Sequence, residues 1–258
     1  MNQAWFADVS YSSTLSRPAP RPPRFDPAAV EAVVFDLDGT LVDSYRAIAA
    51  SVNHARSAFG LSGLDPATIR ASVGRGLEAL VADLVHPREV QRAVALFREH
   101  YATVYTSLTS ALPGTALALQ SLHERGYRLA VASNKPARFG RPILEGLGLL
   151  RWIDTVSGPD IAGTTKPEPT MLRNCLEQLG VPAANAVYVG DMTLDAESGA
   201  RAGVAVVLVK GGSSSESELV QTGQTVVSSL HDLLAVLPPR AVAVTRSRVV
   251  PSPRCGGI

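Results

Sequence analysis

Asp36 and Asp38, with one residue between them, are the first residues of this chain whose types and spacing are suited to joint chemistry. They lie in the run Ala32-Val33-Val34-Phe35-Asp36-Leu37-Asp38-Gly39-Thr40, whose apolar start reads as a buried strand. Side chains alternate along an extended backbone, so both acids emerge on one side. They do so at the carboxyl end of the strand, where open α/β sheets bind ligands. Two carboxylates this close repel unless a cation or a shared proton relieves them. Gly39-Thr40 then supplies the turn that takes the backbone out of the sheet.

Three further stations follow along the chain. The apolar run Tyr127–Ala132 ends at Ser133-Asn134-Lys135, a hydroxyl and amide donors suited to phosphate oxygens. Lys166 stands in Thr165-Lys166-Pro167-Glu168-Pro169, where the prolines restrict the backbone around it. The run Ala186–Val189 leads into Gly190-Asp191, with Asp195 four residues on. Acids at that point complete an oxygen-ligand site of the kind Mg²⁺ prefers. Asp195 also suits a helix N-terminus simply as a charge on the dipole, and Thr40 suits a brace for the turn.

In this order the stations resemble the motifs of the haloacid dehalogenase-like hydrolase superfamily. Asp36 to Thr40 match its Asp-x-Asp-Gly-Thr run, Ser133 its Ser or Thr, Lys166 its Lys, and Gly190 to Asp195 its Gly-Asp-x-x-x-Asp run. The resemblance covers roughly residues 30 to 238, and Ser133–Pro136 with Lys166–Pro169 look most like the phosphoglycolate phosphatase group. It implies an α/β fold, a Rossmann-like, mostly parallel sheet core with an inserted helical cap. It also implies the roles. Asp36 is the nucleophile and Asp38 the acid and base. Mg²⁺ binds Asp36, the backbone carbonyl of Asp38 and Asp191, with Asp195 in support. Ser133 and Asn134 hold phosphate oxygens, Lys166 screens the charges, and Gly39 and Thr40 flank the substrate.

The implied reaction is hydrolysis of a small phosphate monoester through an aspartyl-phosphate, with 2-phosphoglycolate the leading substrate. A sugar phosphate, pyrophosphate, a nucleotide or a biosynthetic intermediate stands as an alternative. So do a β-phosphoglucomutase-like mutase and an inactive binding or regulatory protein on the same fold. The second aspartate, Asp38, favours phosphoryl transfer over dehalogenation, because a halide leaves without a proton. Residues 43–112 contain no lysine, which speaks against the cap-borne Schiff base of the related phosphonatases.

These residues need a scaffold, and the alternation of apolar runs with helical patterns predicts one. Strands are expected at Ala32–Asp36, Tyr127–Ala132, Ile153–Ser157, Ala186–Val189, Val204–Val209 and Thr225–Val227. Helices are expected at Thr115–Arg125, Arg138–Leu147, Thr170–Leu179 and Leu194–Ala202, with Gly126, Gly148, Gly180 and Gly203 closing them. From Asp43 to Leu112 the chain departs for roughly seventy residues, far beyond the usual connection of about 2–6. Ile48, Val52, Ala55 and Phe59 form one helical stripe there, and Val90, Val94, Phe97, Tyr101 and Val104 another. This is the expected cap, hinged near Asp43 and Leu112. Within it Gly74-Arg75-Gly76 breaks the pattern and offers Arg75 to a substrate carboxylate; an exposed turn arginine is the alternative.

The expected layout is an N-terminal extension over 1–28, core segments over 29–43 and 113–238, a cap over 44–112 and a C-terminal tail over 239–258. Both extensions are rich in Pro, Arg and Ser and read as disordered. The first has no charged start followed by an apolar stretch, so no secretory signal is expected. With 258 residues, 46% of them hydrophobic, the chain is able to bury one large core and an accessory unit. A net charge of +1 gives no electrostatic case for nucleic acid or membrane partners. Cys175 and Cys255 show no metal spacing and suit a reducing cytoplasm. The expected partner is a small phosphorylated metabolite, and the expected assembly a monomer or homodimer.

Overall fold

The computed structural model describes residues 26–240. The run after Val30 becomes β1 (Ala32–Phe35), every residue of it buried. A two-residue strand β2 (Val42–Asp43) then leads into four helices, α1 (Tyr45–Ala58), α2 (Pro66–Ser72), α3 (Leu77–Leu84) and α4 (Val90–Val104). The chain returns through β3 (Ser110–Ala111) and alternates from there. Next come α5 (Thr115–Glu124), β4 (Arg128–Ala132), α6 (Ala137–Gly146), β5 (Thr155–Ser157), α7 (Pro159–Ala162) and α8 (Thr170–Leu179). The last elements are β6 (Ala186–Gly190), α9 (Thr193–Ala202), β7 (Ala205–Val209), α10 (Glu216–Gln221), β8 (Thr225–Val227) and α11 (Leu230–Val236).

Six strands form one parallel sheet in the order β5-β4-β1-β6-β7-β8. β1 lies between β4 and β6, and its apolar residues serve both faces. Val33 and Phe35 join the core on one side, Ala32 and Val34 the core on the other. This two-sided burial is why the strand reads as a continuous apolar run rather than an alternating one. The fold is α/β, as expected, and the predicted strands all occur. β5 is shorter than predicted, beginning at Thr155 rather than Ile153. Gly180 and Gly203 end α8 and α9 at φ values of 67° and 74°, a left-handed geometry that costs a side chain energy and glycine little. Cys175 fills the core against β4, and burial pushes its thiol up to about 12.

The excursion after β1 has a core of its own. Val52, Ala55, Ile69, Val81 and Ala93 are within a percent of complete burial among α1–α4. Each fully buried aliphatic of this kind contributes roughly 1.5–3 kcal/mol for the larger side chains. The two predicted stripes are α1 and α4, whereas α2 and α3 have no counterpart in the expected elements. A short antiparallel ribbon, β2 with β3, pairs Val42 with Ala111 and Asp43 with Ser110. It joins the two ends of the excursion, close to where hinges were expected.

The C-terminal boundary differs from expectation. Arg240 is still docked: its backbone N–H donates to Arg125 O at 3.1 Å and its guanidinium to Val30 O at 2.7 Å. The chain therefore stays on the core two residues beyond the predicted limit at Pro238, held by a cation the sequence pattern assigned to the tail. The remainder of both extensions, with Cys255, lies outside the described residues. Among the described residues no helix is long and apolar enough to cross a membrane.

Candidate active site

All the strand-borne stations meet at the carboxyl ends of β1, β4 and β6. Asp36 continues β1 by donating its N–H to Val189 O at 2.8 Å. The chain then turns sharply: the Leu37 carbonyl accepts N–H groups from Thr40, Leu41 and Val42 at 3.4, 2.9 and 3.0 Å. Gly39 enables this turn at φ 83°, and a Cβ there would also run into the Asp191 carboxylate and Tyr45. Leu37 is fully buried, and Asp36 and Asp38 line one cavity of about 180 Å³ together with Ser133 and Lys166.

The two aspartates have different partners. Asp36 Oδ2 lies 2.7 Å from Lys166 Nζ, while Asp36 Oδ1 is buried and has no partner among the described residues. Lys166 also reaches Asp195 Oδ1 at 2.7 Å. Asp38 Oδ2 lies 2.8 Å from Lys135 Nζ, and its Oδ1 accepts Ser44 Oγ at 2.5 Å. Both oxygens of Asp38 are thus held, and one oxygen of Asp36 is not.

Asp191 and Asp195 are built into the site by its backbone. Thr40 Oγ1 donates to Asp191 Oδ1 at 2.8 Å, and the Ser213 N–H to Oδ2 at 2.7 Å. The glycine before Ser213 leaves room for this: a Cβ on Gly212 would strike the Asp191 carboxylate. Asp195 accepts the Asp191 and Met192 N–H groups at 3.1 and 2.9 Å on one oxygen, and Lys166 with the Tyr188 hydroxyl on the other. It therefore fixes the turn after β6 and holds Lys166 in place.

Asp36, Asp191 and Asp195 each offer a carboxylate oxygen, all within 4.8 Å of one another. At that separation and an effective dielectric of about 20, two ionised carboxylates repel by roughly 3–4 kcal/mol. Burial raises Asp191 to about 8, with Asp195 and Asp36 adding to the effect. Asp195 is likewise raised by burial and by Asp36, against the pull of Lys166. Burial disfavours the charged form of Lys166, yet Asp195 and Asp36 outweigh it and raise its pKa. One lysine thus serves two of the three acids. The orphaned Oδ1 of Asp36, the excess negative charge and the all-oxygen donor set fit a hard divalent cation such as Mg²⁺.

One expected substrate contact differs from the structure. Arg75 pairs with Asp83 and is exposed, and the cavity wall beside it is formed by Gly74 and Gly76. A surface guanidinium takes the nearest carboxylate, eight residues along the chain. The Asn134 side chain is engaged at both ends: Nδ2 donates to Gly74 O at 2.7 Å and Oδ1 accepts the Lys166 N–H at 2.7 Å. It ties the helical excursion to the lysine segment. Ser133 lines the cavity, with its Oγ 3.3 Å from the Lys135 N–H. Thr40 touches Asp191 and so braces the acid cluster.

Residues that the motif reading left without a role are Lys135, Ser44, Tyr188 and Ser213. Lys135 stands directly after the β4 motif, which was its only signal. Tyr188 sits inside a strand with nothing to mark its hydroxyl. Ser213 follows β7, at the same sheet end as the other stations, so its position was the available clue. The excursion closes over the site through several contacts. Arg70 hydrogen-bonds the carbonyls of Gly211 and Gly212, and the Tyr45 hydroxyl lies 2.7 Å from Ser213 Oγ. Phe139 of α6 packs edge-on at 5.3 Å against both Tyr101 and Tyr105 of α4.

Comparison with known proteins agrees with this geometry. Residues 33–209 match the sequence profile of the haloacid dehalogenase-like hydrolase family. A plasmid phosphoglycolate phosphatase of Cupriavidus necator is 35% identical over 219 residues, 82% of this chain and 95% of that protein. The phosphoglycolate phosphatase of Rhodospirillum rubrum is 39% identical over 197 residues, 72% of this chain and 82% of that protein. Among solved structures, a haloacid dehalogenase-like family hydrolase from Streptococcus pneumoniae superposes with a TM-score of 0.75 at 21% identity, covering 81% of this chain and 99% of its own. A protein described as a predicted phosphatase from Clostridium acetobutylicum gives a TM-score of 0.72 at 26% identity, covering 79% of this chain and 96% of its own. The chain belongs to the haloacid dehalogenase-like hydrolase family, in its phosphoglycolate phosphatase-like group.

Proposed function

We propose that the chain is a Mg²⁺-dependent phosphatase that hydrolyses a small phosphate monoester through an aspartyl-phosphate on Asp36. The observation that carries the proposal is the unequal treatment of Asp36 and Asp38. Lys166 fixes Asp36 by one oxygen and leaves Oδ1 without a protein partner at the cavity. Lys135 and Ser44 fix both oxygens of Asp38 beside it.

In the first step a carboxylate oxygen of Asp36 attacks phosphorus, and the bond from phosphorus to the ester oxygen breaks. Asp38 delivers a proton to the leaving oxygen. In the second step Asp38 takes a proton from water as that water attacks phosphorus, and the bond to Asp36 breaks. Ser133 contributes a hydroxyl for the phosphoryl oxygens. Asp36 and Asp191 would hold the cation, with the backbone carbonyl of Asp38, and Asp195 would support it through the turn it braces. A bound Mg²⁺ neutralises the repulsion between nucleophile and phosphate and the charge on the transferring group. Lys166 keeps Asp36 oriented.

Among small monoesters 2-phosphoglycolate is the first candidate, supported by the names of the relatives. The test is phosphate release from a panel of small esters that includes it, with Mg²⁺ and then with EDTA. Release that chelation abolishes is the expected result; release unaffected by chelation contradicts the metal dependence.

A further inference from the structure

The helical excursion is fastened to the core beside Asp191, through the loop that follows β7. Arg70, in the last turn of α2, donates from one terminal nitrogen to the carbonyls of Gly211 and Gly212, the latter at 3.2 Å. The Tyr45 hydroxyl, at the start of α1, lies 2.7 Å from Ser213 Oγ. The Ser213 N–H serves the core instead and donates to Asp191 Oδ2 at 2.7 Å. One short stretch of backbone thus gives its carbonyls and a hydroxyl to the excursion, and its N–H to a carboxylate of the acid cluster.

This loop has little room to shift. A Cβ on Gly212 would strike the Asp191 carboxylate, and one on Gly39 would meet both that carboxylate and the Tyr45 hydroxyl. Arg70 is braced in turn, with its guanidinium 4.4 Å from the centre of the Tyr45 ring. Burial, and then Asp191, push the Tyr45 hydroxyl well above its ordinary range, so it keeps its proton. A group that hydrogen-bonds a metal ligand orients that ligand, and its loss typically costs about 10–100-fold in metal affinity. The Ser213 N–H is such a group for Asp191, and Arg70 holds the loop that carries it.

We infer that Arg70 is a positioning residue for the cation: by seating α2 on the 211–213 loop it keeps the Ser213 N–H on Asp191, so that Mg²⁺ binding and closure of the excursion over the core favour each other. The inference rests on the reading above that Asp191 holds the cation. The coupling is reciprocal by linkage: whatever loosens the seat weakens the cation, and the cation tightens the seat.

Charge alone predicts the opposite sign. Taking a positive side chain away from a cation site relieves repulsion and favours binding. A loss of Mg²⁺ affinity on removing Arg70 therefore reports the latch and not the charge. The experiment is calorimetric titration of Mg²⁺ into the metal-free full chain, without substrate, for wild type, Arg70→Met and Arg92→Met. Arg92 pairs with Glu89 within the excursion and controls for loss of a cation there. Arg70→Met is expected to weaken Mg²⁺ by about fivefold or more, and Arg92→Met to stay within about twofold of wild type. A smaller loss in folded Arg70→Met, or an equal loss in Arg92→Met, overturns the inference and leaves the phosphatase reading standing. No Mg²⁺ binding by the wild type removes both. Hydrogen exchange of the wild type decides the matter even if Arg70→Met does not fold. Mg²⁺ should slow backbone exchange in α2 as well as at 211–213, and exchange in α2 that Mg²⁺ leaves unchanged overturns the inference.

Discussion

Two aspartate–lysine pairs stand two residues apart at the end of one strand, and they are not equivalent. Lys166 reaches Asp36 from the segment before α8, shares itself with Asp195 and leaves one Asp36 oxygen open. Lys135 reaches Asp38 from the end of β4, and Ser44 takes the other oxygen. The first arrangement suits a nucleophile that must be aimed while one oxygen stays uncommitted to the protein. The second suits a group that must stay put while it gives and takes a proton. Identical residue types thus acquire different chemistry from the elements that bring their partners.

The sharpest way to break the comparison is to remove each acid. Asp36→Asn keeps the shape and loses the nucleophile, and turnover should fall by about 10⁴-fold or more. Asp38→Asn should cost about 10²–10⁴-fold, the range for a lost general acid and base. Its loss should be smaller for substrates whose leaving group needs no proton, such as an activated aryl phosphate. Steady-state phosphate release measures both, and equal losses on every substrate would erase the distinction between the two aspartates.

The lysines offer a second contrast. Lys166→Met strips the cation from two buried acids, Asp36 and Asp195, and breaking a buried pair in this way costs about 3–5 kcal/mol of stability. Lys135→Met removes the partner of a single, less buried acid, and should cost less stability. Urea denaturation of the two metal-free variants compares them directly. A larger loss for Lys135→Met would contradict the charge balance drawn from the structure.

Charge balance also sets a pH dependence. The folded state raises Asp191 from 3.8 to about 8, so the folded chain holds a proton there that the unfolded chain has already lost. Metal-free stability associated with this group is full below the ordinary carboxylate range and is lost as pH rises to about 8. A cation needs the ionised form, so Mg²⁺ affinity should rise over the same interval. Thermal denaturation at several pH values, with and without Mg²⁺, should show the stabilisation by Mg²⁺ growing toward about 8 in the wild type. In Asp191→Asn that growth should be lost; if it persists, the proton belongs elsewhere. The smallest effect is expected at Arg75, whose pairing with Asp83 is exposed. Arg75→Ala should change stability by no more than about 0.5 kcal/mol.

The sheet and the acids were legible in the sequence for one physical reason. Parallel strands buried on both faces are apolar throughout, so the polar residues that follow them stand out, as Asp36, Ser133 and Asp191 do. β8 was legible as well, as the short run Thr225–Val227. What escaped depends on partners distant in sequence. The Asn134 side chain acquires its tie only when Gly74, 60 residues away, accepts from its Nδ2. Lys135 acquires its role only when β1 and β4 pair and bring it to Asp38. α2 and α3 span seven and eight residues, too short for a helical period to declare itself. Arg240 was lost in a tail-like composition although it docks on Arg125 and Val30.

The central claim is that Asp36 carries the phosphoryl group during turnover. The direct measurement is acid quenching of Mg²⁺-loaded enzyme during hydrolysis of a radiolabelled ester, followed by peptide mapping. We predict one phosphoryl group on the peptide containing Asp36, at a higher level in Asp38→Asn and absent in Asp36→Asn. Hydrolysis that continues in Asp36→Asn with no labelled peptide would contradict the account.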